Sequence, residues 1–396
     1  MGKLRSVVAV ATLMLTGSLL WAQSGRVAVQ VRDHGANTAI AGPTAPKHVV
    51  GLPRMIHDIS LNTGKVTYAL RYTICHDPKA PTVGIPGEGY IGMPQPNDAN
   101  WYSGGFFDLK LNGQSIGSTM AQTFVGRSTG DRGYVDYVFD DPQAVVRLRF
   151  VALAGDDFLH AQLLIEPKVE LTQVSVNLRC YPSGFVNRSA GAERHALTAT
   201  REFKVGERLT PDPATEYWVN FYDAVYDTGV VTPSATGRGS CSVLWIPTQL
   251  REASFNVGDY GSESVLQLDP SLRDFRFVFF DHAGVSNADA QAALRSRAPE
   301  LLEQLTGFVF ADGSVLDWPR AEKIAEARTL LADLPEDKAA AERYDQWSRE
   351  LEEHLALLKT AGQSGAIVAE GKALGIITEW DKSLPDLRLQ ALLNTF

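Results

Sequence analysis

The chain has 396 residues, 44% hydrophobic and 21% charged, a globular composition with enough apolar mass for more than one core. Its formal net charge of -9 disfavours nucleic acid and anionic lipid as partners and suits neutral or cationic ligands. Three cysteines, Cys75, Cys180 and Cys241, are too few and too scattered for a disulfide scaffold or a zinc ribbon, and at most one intramolecular bridge can form among them.

The first predicted element is a leader. Lys3 and Arg5 precede the apolar run Val7 to Leu20, and Ala22 supplies the small residue a signal peptidase needs before polar Gln23-Ser24. The run is short for a bilayer span, so residues 1–22 are expected to be a cleaved signal peptide. The mature protein is then secreted or periplasmic, without a stable membrane anchor, in a compartment where one cysteine pair can oxidise. Asn187-Arg188-Ser189 matches a glycosylation sequon, which matters only in a host with that machinery.

From about residue 27 to residue 283 the apolar period is two. Val66, Tyr68, Leu70, Tyr72 and Ile74 alternate with Thr67, Ala69, Arg71, Thr73 and Cys75, the pattern of a strand with one buried face. Val174, Val176, Leu178 and Cys180 repeat it, as do Phe275, Phe277 and Phe279. Turn signals such as Asn62-Thr63-Gly64, Leu111-Asn112-Gly113 and Gly155-Asp156-Asp157 separate the runs, and no helical period interrupts them. The pattern predicts antiparallel sheets packed face to face. It puts Cys180 on an apolar strand face and Cys75 on a polar one, which disfavours that pairing.

One stretch departs from the alternation. His76 to Gly105, rich in glycine and proline, is expected to be a long loop whose tip carries Tyr90, Asn97, Asp98, Asn100, Trp101 and Tyr102. Either Asp98 accepts sugar hydroxyls or a cation beside Trp101, or the loop is held by its own packing.

Near Gly284 the period changes to that of helices. Ala288 to Leu305 is the first, and Pro319 to Leu334 the second, with Asp317 available as its cap. After Pro335, Ala340, Tyr344, Trp347, Leu351, Leu355 and Leu358 recur at three and four, up to Gly362. Leu374 to Phe396 holds one more helix, beginning after Asp381 or Pro385. The helices are expected to pack on one another. The predicted organisation is a signal peptide over 1–22, a mainly antiparallel β domain (sandwich or supersandwich) over 23–285, and an α-helical C-terminal domain over 286–396.

The runs Val145 to Phe150, Ala161 to Pro167, Val174 to Pro182 and Phe275 to His282 resemble strands of the β-supersandwich found in galactose-mutarotase-like domains and in the sheet domains of polysaccharide lyases. The resemblance covers the strand region only and has no signature motif, so it assigns no catalytic residue. What it implies is a carbohydrate-related fold.

Two constellations can carry chemistry. In the hairpin turning at Gly155-Asp156, pairing Ala154 with Asp157 sets Arg149 opposite Gln162 and Val151 opposite His160, gathering Arg147, Arg149, His160, Gln162 and Glu166 on one face. That face can hold a sugar or a uronic acid with His160 or Glu166 as acid or base, or it is a solvated sheet face with cross-strand ion pairs. From Glu216 to Asp227, Trp218, Asn220, Tyr222 and Tyr226 form an aromatic face with an amide, suited to stacking on pyranose rings or to burial between sheet and helices. Asp281-His282 point to opposite faces of one strand, which favours capping or a hinge over a catalytic pair. The remaining histidines show no metal spacing, and no cofactor motif is present.

The reading these features favour is an exported carbohydrate-binding β-sandwich protein, with catalysis open. The alternative is a noncatalytic envelope or matrix protein whose surfaces bind other proteins. The first gathers Trp101, Trp218 and the Arg147/Arg149 face around one cleft; the second buries the aromatic residues.

Overall fold

A computed structural model describes residues 25–33, 39–41, 47–85, 89–96, 100–183, 193–210, 212–225, 227, 239–258, 261–358 and 365–394. The leader, the sequon, Asp98, Tyr226 and Gly362 lie outside those residues. Two antiparallel sheets and a set of helices make up the fold, as the alternation and the later periodicity predict.

The first sheet runs β1 (Ala28–Asp33), β3 (Pro53–Asn62), β4 (Thr67–Asp77), β6 (Tyr90–Gln95), β7 (Phe107–Leu111), β13 (Val174–Cys180), β20 (Ser262–Leu268), β19 (Leu250–Val257) and β16 (Arg208–Leu209). Short strands β2 (Ala39–Ile40), β5 (Ala80–Gly84) and β8 (Gln114–Ser115) pair beside it. The second sheet runs β15 (Glu202–Lys204), β14 (Arg194–Leu197), β17 (Trp218–Asp223), β18 (Cys241–Trp245), β21 (Asp274–Asp281), β12 (Phe158–Pro167), β11 (Ala144–Leu153), β10 (Arg132–Asp140) and β9 (Ala121–Thr129).

Alternate residues of both sheets meet in one core, because each pleat sends every second side chain inward. Val176 and Leu178 of β13 share it with Leu148 and Phe150 of β11 and with Phe275, Phe277 and Phe279 of β21. Phe106 packs edge-on against Phe279, centroids 5.6 Å apart at 86°. Gly126 and Gly133 let the sheets close tightly near β1: an added Cβ would stand 2.4 Å from Ile59 Cγ2 and 2.5 Å from Val27 Cγ1, respectively. Gly155 turns the β11–β12 hairpin at φ +82°, a conformation that favours glycine.

The stretch from His76 to Gly105 is not one loop. It contains β5 and β6, and Trp101 bridges Cys180 and is fully buried. Gly92 serves close approach: a Cβ there would meet Ser103 O at 1.8 Å. The short run Ile91 and Met93, both in the core, is the strand signal hidden among the glycines and prolines.

Compact packing divides the chain after Val309. Helix α1 (Asn287–Gly307) therefore belongs with the sheets, not with the later helices, and the Ser286 hydroxyl caps it by accepting from Asp289 N at 3.1 Å. It packs on β17, β18 and β21 through its stripe Ala290, Leu294, Ala298, Leu301 and Leu305, all buried.

The second unit, from Phe310, holds α2 (Gly313–Leu316), α3 (Arg320–Ala332), α4 (Lys338–Leu358) and α5 (Ala366–Asn394). No side chain caps α3, so Asp317 does not play the expected part. Helix α5 starts well before Asp381 and runs through Pro385, because Ile377, Trp380, Leu384, Leu387 and Ala391 form a buried stripe whose packing outweighs the lost hydrogen bond. Tyr344, Trp380, Leu384 and Leu387 share a core with Ala327. Among the described residues no helix is long and apolar enough to cross a membrane.

Candidate functional site

The second sheet sends its other set of side chains away from the sandwich core, and both constellations read from the sequence stand on this outer face. Arg149 pairs with Gln162 and Val151 with His160, the register expected of the hairpin. The row continues across four strands, Asp136 opposite Arg149, Arg149 opposite Gln162, and Gln162 opposite Arg276.

That row is neither an open cleft nor a solvated face. Arg147, Arg149, His160 and Gln162 are all buried, and Glu166 is half-buried at the end of β12. Asp136 accepts from Arg149 at 2.6 and 2.9 Å and from Arg127 Nη1 at 2.6 Å. Burial alone pushes its carboxyl up, but the two guanidinium groups overcome this and hold it well below the usual range. Arg147 Nη2 donates to Gln162 Oε1 at 3.2 Å, and Gln162 Nε2 passes the chain on to Asp274 Oδ1 at 3.0 Å. Burial and the neighbouring Arg149 lower Arg147 to about 9.

The chain around the end of α1 covers part of this face. Arg276 Nη1 donates to Thr306 O at 2.8 Å, a guanidinium closing the carbonyl end of the helix. Phe308 stacks on His160, centroids 3.8 Å apart at 16°. Burial, together with nearby Arg132, drives the imidazole down to about 3, so it stays neutral near pH 7. These groups build structure: Arg147, Arg149, His160 and Gln162 are buried and held by one another, by Asp136 and by Phe308, and only Glu166, Asp274 and Arg276 at the margin reach solvent in part.

The aromatic strand β17 is also covered. Trp218 and Tyr222 are 2% and 9% exposed, and Asn220 Nδ2 donates to Ser242 Oγ at 2.8 Å. Helix α1 is tied down here by Asn287 Nδ2, which donates to Asp223 O at 2.7 Å. Trp101 lies elsewhere, inside the sandwich, with its indole N–H on Phe280 O at 2.6 Å. The structure therefore brings Arg147, Arg149, His160 and Gln162 together and places Trp218, Asn220 and Tyr222 further along the same face, but Trp101 joins neither group.

At the β14–β15 edge of this face is a cluster that reaches solvent. His195 is buried, whereas Glu193 and Glu202 side chains are 52% and 45% exposed. Glu202 Oε1 faces His195 Nδ1 at 2.5 Å and accepts from the Tyr222 hydroxyl; Glu193 Oε1 faces His195 Nε2 at 3.2 Å. Lys204 Nζ stands 3.6 Å from Glu193. Hydrogen bonds from Tyr222 and then His195 hold the Glu202 carboxyl below its ordinary value, while burial and Glu202 push the Tyr222 phenol up. The cluster thus offers two carboxylate groups, a phenol hydroxyl and a lysine side chain within one patch. Among the described residues, no group of three or more His, Cys, Asp or Glu side chains is placed to hold a metal ion.

This cluster was legible only through a hairpin. His195 pairs with Lys204 and Leu197 with Glu202 around the turn closed by Thr198 N on Arg201 O at 2.8 Å. The signal is His195-Ala196-Leu197 mirrored by Glu202-Phe203-Lys204 across that turn, with Ala196 and Phe203 pointing to the core.

No family model and no curated protein matches the sequence. Among solved structures, an α-galactosidase from Lactobacillus brevis is 10% identical at a TM-score of 0.36, over 62% of this chain and 42% of that one. An α-N-acetylgalactosaminidase from Bifidobacterium bifidum, solved with GalNAc, is 11% identical at 0.36, over 66% and 39%. The galactosidase domain of an α-galactosidase-sucrose kinase is 12% identical at 0.33, over 56% and 40%. The chain thus spans about two fifths of the length of each. These are distant likenesses, and they assign no chemistry to this chain.

Proposed function

We propose that this is an exported β-sandwich protein that binds a neutral or amino sugar at the Glu193, His195, Glu202, Lys204 and Tyr222 patch. The observation that carries the reading is that this titratable cluster on the outer face of the second sheet combines half-exposed carboxylates with a buried imidazole and phenol that fix them. Carboxylates accept paired sugar hydroxyls, and two of them facing one imidazole suit a ligand that brings hydroxyl or ammonium donors. Trp218, Asn220 and Tyr222 then form the wall behind the patch, and Arg147, Arg149, His160, Gln162 and Glu166 a support further along the sheet. Trp101 supports the fold from inside. The leader Lys3 to Ala22 is the basis for placing the protein in the periplasm or outside the cell.

The test is titration of the full chain with neutral hexoses, N-acetylated and free amino sugars, and uronic acids. Saturable binding of a neutral or amino sugar that Glu202→Gln abolishes supports the reading. Binding of uronic acids alone, or a Glu202→Gln variant that binds as well as the native chain, overturns it.

A second reading, a noncatalytic protein-interaction module, is favoured by two observations. Trp101 and Trp218 are buried, and Leu389, Leu392 and Leu393 at the end of α5 are 55%, 57% and 63% exposed.

A further inference from the structure

Cys180 and Cys241 sit on different sheets of the sandwich, yet the chain brings them to one place. Cys180 ends β13 and Cys241 begins β18, and both side chains are in the shared core, 1% and 0% exposed. The residues around them are stapled together by Asn100. Its carbonyl accepts the Tyr181 N–H at 3.0 Å and the Cys241 thiol at 3.3 Å. Its side-chain Oδ1 accepts Ser183 N at 3.2 Å and Gly239 N at 3.3 Å. Ser183 N also donates to Gly239 O at 2.9 Å, so three residues after Cys180 and two before Cys241 the backbones are bonded directly. Both thiols are free in this structure, Cys180 Sγ on Ser262 O at 3.6 Å and Cys241 Sγ on the Asn100 carbonyl to which the Tyr181 N–H also donates. Cys75 is remote from this point, on the other side of the first sheet in a small cluster with Ala41 and Val49.

We propose that Cys180 and Cys241 form a disulfide that clips the two sheets together, leaving Cys75 as a free thiol. The bond would close a loop containing Glu193, His195, Glu202, Lys204 and Tyr222, and so would fix the strands that carry the candidate site. The oxidant is a small-molecule or protein disulfide of an oxidising compartment. One thiolate attacks that disulfide, forming a mixed disulfide and releasing one reduced thiol. The second cysteine, as thiolate, then attacks the mixed disulfide, the Cys180–Cys241 bond forms, and the other half of the oxidant leaves as a thiolate that takes up a proton. The two cysteines give up two electrons and two protons, and the oxidant becomes two thiols. Burial pushes the Cys241 thiol above its ordinary value, so reactive thiolate is scarce in the closed fold and the bond is made while the sheets are still associating.

The chemistry is independent of how the chain reaches its compartment, although its use in the cell rests on the export reading. The test therefore begins with full-length protein refolded in oxidised and reduced glutathione, then unfolded and alkylated. One carbamidomethyl group per chain without reductant and three after reduction are expected, with a linked peptide pair containing Cys180 and Cys241. The bond should resist dithiothreitol in the native state and yield to it on unfolding, and the thermal midpoint should fall by about 5–10 °C once it is reduced. Cys180→Ser and Cys241→Ser should each show the same lower midpoint in the absence of reductant, while Cys75→Ser should not. Three alkylated thiols after oxidative refolding, or a linked pair that includes Cys75, overturns the proposal. If expressed protein retains residues 1–22 in the cytoplasm but the refolded chain carries the bond, export fails and the disulfide stands; an exported chain found fully reduced sinks the disulfide alone.

Discussion

Arg149 and Asp136 face each other on neighbouring strands and are joined twice, Nε to Oδ1 at 2.6 Å and Nη2 to Oδ2 at 2.9 Å, with side chains only 2% and 6% exposed. A buried ion pair is worth little against a well-packed apolar pair, but losing one member strands a charge. Arg149→Met is therefore expected to cost about 3–5 kcal/mol in urea unfolding. The double variant Arg149→Met with Asp136→Leu should cost less than the sum of the two single changes. Because the carboxyl is held below its unfolded value, its contribution is present above about pH 4 and lost as the pH falls through the folded value.

Phe308 and His160 give a second check. Phe308→Ala removes the ring stacked at 3.8 Å and admits water, and is expected to destabilise the sheet unit by roughly 3 kcal/mol. The native imidazole is depressed to about 3, so between pH 6.5 and 3 the unfolded chain binds a proton that the folded chain refuses. Stability thus falls as the medium is acidified through that window. In Phe308→Ala the His160 NMR titration should move up towards 6.5; a titration left where it was would disprove the covering role of Phe308.

Asp281 works in the opposite sense. Buried at the end of β21 and accepting from Asn100 Nδ2 at 2.8 Å, its carboxyl is raised to about 8, with burial as the main cause. Folded Asp281 stays protonated while the unfolded carboxyl ionises above about pH 4, so stability is lost as the pH rises from 4 to 8. Asp281→Asn keeps the shape and cannot ionise. It should be more stable than the native chain at pH 8, on the order of 2 kcal/mol, and should lose that advantage at pH 4. Parallel pH profiles of the two proteins would refute the assignment.

At the open cluster, Tyr222→Phe removes the hydroxyl that donates to Glu202 and should move the Glu202 titration up towards its ordinary value, with His195 still holding it partly down. Sugar affinity is expected to drop about tenfold, the worth of one hydrogen bond to a charged group. The melting temperature should barely move, since the carboxylates are half-exposed.

In the helical unit, Trp380 touches Tyr344 at 4.8 Å and 85° and Trp318 at 5.5 Å and 77°. Trp380→Ala should cost about 3–5 kcal/mol and lower the melting of that unit selectively, splitting calorimetry of the full chain into two transitions. A single transition shifted as a whole would show that the two units unfold together.

Local alternation was enough to read the long strands of this protein, though not β5 and β6 among the glycines and prolines after His76. Val174 to Cys180 and Phe275 to Phe279 announce one buried face each, and the even loop at Gly155-Asp156 fixes Arg149 opposite Gln162, because side-chain direction on a pleated strand depends only on counting by two. The same counting says which residues share the outer face. It cannot say what covers them. Whether Trp218, Arg149 and His160 meet water or another layer depends on where α1 lands, and a helix's apolar stripe fits a sheet as well as it fits other helices. Likewise His195 and Glu202 become neighbours only when β14 and β15 pair, and Cys180 and Cys241 only when two sheets distant in sequence close on Asn100. Periodicity is a property of a few neighbouring residues, whereas burial and proximity are set by packing among segments that the sequence does not place side by side.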